Sequence, residues 1–137
     1  MSITQDPIRS KIWVVAVITF VVWDIVTTAM GSYTPGVYET NPLFEQYFNN
    51  QQFAHMLIIK LSITSFIFAI DVFWYRLEGF GEIPFIPVLL IWYGTRVTIS
   101  NMEIVVSNGF PEIPAWLLLG ITGYITYGIV QLPNGEN

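Results

Sequence analysis

The chain has no cysteine, one histidine, and only five Lys and Arg residues in 137 positions. Each scarcity excludes something. Without cysteine there are no disulfides, thiolate metal sites or cysteine nucleophiles. With His55 alone and no His-Glu-x-x-His pattern, a zinc hydrolase has no ligand set. Ser62 lies two helical turns from His55, so no Ser–His–acid triad is legible. No phosphate-binding loop or dinucleotide fingerprint occurs, and no metal or cofactor is expected. Charged residues make up 11% of the chain and the net charge is −5. The exposed segments are acidic, which argues against nucleic acid or an anionic lipid surface as a partner.

What is abundant is apolar surface. Hydrophobic residues reach 53% and aromatics 16%, with a mean hydropathy of +0.57. A chain with so few charges cannot cover a soluble globule, so an integral membrane protein of a single domain is expected. Crossing a bilayer takes about 20 mostly apolar residues. Four stretches meet that requirement, at about 12–33, 53–75, 83–106 and 115–132. The punctuation between them is "YTPG", "EGFGE" and "NGFPEIP". "AMG" at the end of the first stretch resembles a leader-cleavage site, but the stretch is too long and carries an aspartate. The expected fold is an all-α, four-helix transmembrane bundle. Arg9, Lys11 and Arg76 flank one side, and the other two connections hold no Lys or Arg. Both termini are therefore expected in the cytoplasm of a cell-membrane protein.

Asp24, Lys60, Asp71, Arg96 and Glu103 fall inside the apolar stretches. A charge at mid-bilayer costs at least ~2.5–3.5 kcal/mol, so such groups pair or face water. At about 1.5 Å rise per residue, Asp24, Lys60 and Arg96 all lie roughly 20 Å from the inner boundary. This common depth makes Asp24 the expected counter-ion of Lys60, of Arg96, or of both. Lys60, Thr64, Ile67 and Asp71 share one helical face, and Arg96, Ser100 and Glu103 share another. Asp24, Thr27, Thr28 and Gly31 cover an arc of the first helix. All three stripes are expected to face inward, with Asp71 near Arg76 or water and with Asn101 and Glu103 near the outer end. One reading is an ion-pair cluster that fixes helix register. The other is a polar cavity in which two cations and one acid leave room for an anionic group.

The connection "YETNPLFEQYF" suits a short helix capped by Asn41, with Pro42 in its first turn and Leu43, Phe44, Tyr47 and Phe48 on one face. It either rests on the bilayer or brings Glu39 and Asn41 over the cluster. "GFGE", Gly79 to Glu82, reads as a plain turn. In "GITGYITYG", Gly120, Tyr124 and Gly128 form a small-and-aromatic stripe, with Gly123 and Tyr127 beside it. The stripe is expected to pack the last helix on its own bundle, or else to contact a second copy or another membrane protein.

Across "WDIVTT", "ETNPLF" and "IIKLSIT" the chain resembles a family of small membrane proteins of archaea and bacteria classed as a domain of unknown function. Asp24, Glu39, Asn41, Pro42 and Lys60 carry the resemblance, which covers about residues 12–65. It brings no activity, but it implies that Glu39 and Asn41 share a site with Asp24 and Lys60. The expected site is thus Asp24, Thr28, Glu39, Asn41, Lys60, Arg96, Asn101 and Glu103. Three functions follow: a structural or partner-binding membrane component, which leads; an ion- or proton-coupled transporter subunit; and an enzyme acting on a lipid or polyprenyl phosphate held by Lys60 and Arg96. The first implies a dry, paired cluster, the second a wet path to both faces, and the third a cavity open to lipid or to the outer side.

Overall fold

A computed structural model describes residues 7–77 and 84–131. Every regular element among them is helical: α1 (Pro7–Val17), a π-helical turn (Ile18–Val22), α2 (Trp23–Ser32), α3 (Glu45–Asn49), α4 (Phe53–Tyr75), α5 (Phe85–Ser107) and α6 (Glu112–Val130). The first three run on without interruption as one rod. Three helices are long and apolar enough to cross a membrane: Ile8–Ser32, Phe53–Tyr75 and Glu112–Val130. α5 is 23 residues long, as long as α4, but its ionisable and amide groups leave it less apolar. "GFGE" lies outside the described residues.

The rod is the hub of the bundle. α5 runs alongside it in the same direction. Leu90 packs with Trp13 and Ala16, and twelve to fifteen residues later Met102 and Val105 pack with Met30. α6 runs in the opposite direction, with Ala115 and Leu119 near Met30 and Gly123 against Ile18 and Trp23. The Trp23 indole donates to the Leu119 carbonyl at 3.0 Å, pinning α6 in place. α4 also opposes the rod and buries mainly Met56, Lys60, Thr64 and Asp71. Three of those four are polar, so α4 is joined to the rod more by polar bonds than by an apolar seam.

The tightest crossing is between α5 and the π turn. A β-carbon on Gly94 would sit 2.7 Å from the backbone of Thr19 and Phe20. Neither side can yield without moving a helix, which is why glycine stands there. Gly94→Ala is expected to cost about 1–3 kcal/mol through overpacking. Gly120→Ala, where nothing lies within 4 Å, should be neutral or mildly stabilising. Thermal unfolding in detergent checks the contrast, and equal effects would contradict the crossing.

Several sequence expectations change. The first helix begins at Pro7 rather than near residue 12, so Arg9 belongs to it. Arg9 is buried and pairs with Asp71, in place of the Arg76 or water that the sequence suggests for this carboxylate. The Asp71 carboxylate accepts from Arg9 Nε at 3.2 Å and from Trp13 Nε1 at 2.7 Å, and the Arg9 guanidinium lies 4.7 Å over the Tyr75 ring. A helix one turn longer at its start lets Arg9 reach a carboxylate that also accepts from the neutral Trp13 indole. In α6 the buried face is Ala115, Leu119 and Gly123. Gly120, Tyr124 and Gly128 are exposed, so the glycine-aromatic stripe does not pack on its own bundle. The indole of Trp23 needs the Gly123 side of α6, and this turns the neighbouring stripe outward.

Candidate functional site

The π turn positions the site. Trp23 N–H donates to Ile18 O five residues back, which widens the helix where it meets α5. π turns often mark functional positions in helices. The Phe20 carbonyl lies in this turn and accepts from Lys60 Nζ at 3.3 Å. The next residues of the rod carry Asp24, Thr27 and Thr28.

Asp24 uses both carboxylate oxygens. Oδ2 forms an ion pair with Lys60 Nζ. Oδ1 accepts from Asn101 Nδ2 at 3.1 Å, and the same amide donates to Thr27 Oγ1 at 3.0 Å. The pair is about nine-tenths buried. The Lys60 ammonium also lies 4.8 Å from the Phe20 ring centroid and 5.8 Å from that of Phe44. Three helices therefore meet at one carboxylate: the rod supplies Asp24, α4 supplies Lys60 and α5 supplies Asn101.

The loop preceding α4 closes one end. Glu39 Oε1 accepts the Asn41 N–H at 2.8 Å, and Asn41 Oδ1 accepts the Leu43 N–H at 3.0 Å. The Asn41 carbonyl accepts from Phe44 and Glu45. The Glu-x-Asn-Pro segment is thus braced by its own side chains. The regular helix that follows is only Glu45–Asn49. The inward residues of the segment are Phe44 and Phe48, whereas Leu43 is exposed and Tyr47 stacks on His55 at 5.7 Å. With two of its four apolar residues sunk into the bundle, the loop is a cover over the cluster rather than a segment lying apart from it.

Between these parts lies a cavity of about 470 Å³, with Asp24, Thr28, Glu39, Asn41, Lys60 and Asn101 all in its wall. Its apolar lining includes Phe20, Phe44, Ile63, Tyr93 and Val97. Ile63 on α4 and Tyr93 on α5 are exposed. The hollow therefore opens sideways between these two helices, which both pack on the rod and hardly touch one another. A smaller hollow of about 100 Å³ adjoins it through Thr28, Glu39, Thr40, Asn101 and Ile104.

Arg96 and Glu103 are not part of the site. Both are exposed on the far side of α5, along an open groove with Trp92 and Ser100. Once Gly94 faces the rod, Arg96 points about 200° around the helix from it and Glu103 about 180°. Asn101 lies within about 20° of Gly94, so it turns inward to Asp24. The expected two cations and one acid become one cation, Lys60, with two acids, Asp24 and Glu39. The sequence signal that could have shown this is the spacing Pro87, Leu90, Gly94, Thr98, Met102 and Val105, the buried face of α5.

Fold and site together define an all-helical protein with three helices able to cross a membrane and a polar cavity covered by a loop. The chain belongs to the family described as Domain of unknown function (DUF5658), which matches residues 15–107. The match runs beyond the first half of the chain and includes α5 and every cavity residue named above, but neither Arg9 nor α6. No curated protein and no solved structure matches the chain.

Proposed function

We propose that the protein is a small integral membrane protein whose cavity binds the polar end of an amphipathic molecule drawn from the surrounding lipid. One observation carries this reading: six polar side chains from three helices and a loop converge on a single cavity of about 470 Å³. A cluster serving only as a lock has no need of that volume, and helices close over empty space when they can. α5 accompanies the rod along its length, so it crosses wherever the rod does, giving four crossings. Lys11 and Arg76 mark the cytoplasmic end, which puts the cavity in the outer half of the bilayer.

The chemistry of the wall selects the headgroup. Lys60 is already neutralised by Asp24, and the formal balance of Asp24, Glu39 and Lys60 is −1. Arg96 stands on the opposite side of α5, so a two-cation clamp for a bare phosphate is not assembled. Glu39 has a second carboxylate oxygen to offer, and aromatic rings border the cavity. This combination suits a headgroup that brings an ammonium or other donor. A relay to both faces fits less well: the lining stops near Phe20 and Lys60, eleven residues before Asp71.

Native mass spectrometry after exchange into phosphatidylethanolamine or phosphatidylglycerol tests this. The amine-bearing lipid should be retained preferentially. Val97→Trp, which fills the cavity from α5, should abolish retention, and Glu39→Gln should remove the preference. Equal retention of both lipids by all three proteins would overturn the reading. A pair that only locks the bundle predicts that outcome.

A further inference from the structure

α5 has a second face that the cavity does not use. Opposite the buried side run Phe85, Leu89, Trp92, Arg96, Ile99 and Glu103, all exposed. They recur at alternating intervals of four and three residues. That is the 3.5-residue repeat of a helix packing lengthwise along another helix. None of the other described helices covers this face, and an open groove of about 670 Å³ lies along it.

The charges on this face make lipid a poor neighbour. Gly94 touches the rod at Thr19 and Phe20, the middle of Ile8–Ser32. Arg96 therefore sits near mid-length, roughly 16–20 Å from either end of the rod at 1.5 Å per residue. A guanidinium at that depth cannot reach the interface easily and is expensive against hydrocarbon. Among the described residues no ion pair joins Arg96 or Glu103 to anything else.

We infer that this face is where two copies of the chain pair, α5 against α5, in the same orientation. In a parallel pair each Arg96 stands level with its counterpart, and its counter-charge comes from the partner's Glu103 two turns further along the axis. The face holds one cation and one anion about 10.5 Å apart along the axis, a separation that an extended arginine and glutamate span together. A two-fold partner then offers its glutamate to Arg96 and its arginine to Glu103, and the four charges sum to zero. A different protein would have to supply both counter-charges at the same spacing, which a second copy does by construction. Lys11 and Arg76 bias every copy towards the same orientation, which favours the parallel pair.

The absence of native cysteine makes the test clean. In native membranes, Ile99→Cys and Trp92→Cys should each form a disulfide-linked dimer on mild oxidation, and Ile121→Cys on the exposed face of α6 should not. In the Ile99→Cys background, Arg96→Glu and Glu103→Arg should each lower self-linking by roughly tenfold, since like charges then oppose one another. Co-expressed with tags of different size, these two variants should link to each other. That heteropair forms only if both variants fold, so misfolding cannot imitate it. Linking at Ile121 but not Ile99 would overturn the proposal, as would self-linking unchanged by either charge reversal. Linking at Ile99 without Trp92 would place the copies antiparallel and overturn the shared orientation.

Discussion

Asp24→Asn should lower the stability of the detergent-solubilised protein by about 3 kcal/mol, the low end of the 3–5 kcal/mol range for breaking a buried pair. The low end applies because the pair borders a cavity rather than close-packed side chains on every side. The substitution leaves the Lys60 ammonium without its counter-ion inside a wall of Phe20 and Phe44. Adding Lys60→Met removes the orphan charge and should recover much of the loss. Adding Arg96→Met instead should recover nothing, because Arg96 lies on the other side of α5. Thermal unfolding of the single and double variants measures both couplings. Additive losses with Lys60→Met would mean that the ion pair contributes nothing, and rescue by Arg96→Met would mean that α5 is turned the wrong way.

A larger loss is expected at the opposite end of the bundle. Asp71 is fully buried and Arg9 is nearly so, with the two side chains in direct contact and no room between them for water. Asp71→Asn removes the carboxylate charge that faces the buried Arg9 guanidinium, and a cost of about 5 kcal/mol is expected. Arg9→Met with Asp71→Leu should restore most of it. A residue of about 1 kcal/mol should remain, because the Trp13 indole then lacks an acceptor. Arg76→Ala should change little. If Arg76→Ala cost as much as Arg9→Met, Asp71 would have the other arginine as its partner. Together the two pairs hold α4 to the rod with reversed polarity, cation on the rod at one end and acid on the rod at the other. A register shift of α4 would break both at once.

These two pairs differ in how far the sequence reveals them. Depth along a helix is a one-dimensional quantity, fixed by the rise per residue. Counting residues is enough to bring Asp24 and Lys60 to one level. The helical character of the long segments follows equally directly from their length and apolarity, since an apolar backbone must satisfy its own hydrogen bonds. Even the brace in "ETNP" is local: Glu39, Asn41 and the N–H groups two residues on are all within reach along the chain. The Arg9–Asp71 pair was hidden by something small, a helix that starts one turn earlier than its hydrophobic pattern.

Azimuth was not legible in the same way. Arg96 shares its depth with Asp24 yet faces away from it, and Asn101 replaces it at the carboxylate. Charge alone gives no direction, because an ionisable residue can turn inward to a counter-ion or outward to a partner. The decision was made by Gly94, whose missing side chain lets α5 touch the backbone of the π turn, and by the π turn itself, for which the sequence carries no mark. In α6 a single-residue choice between Gly120 and Gly123 was settled by the Trp23 indole. Composition and spacing therefore determined that this chain forms long apolar helices with buried charges at matched depths. Only tertiary packing decided which faces meet, because that depends on the closest approach of two backbones, a property of the pair of helices and not of either one.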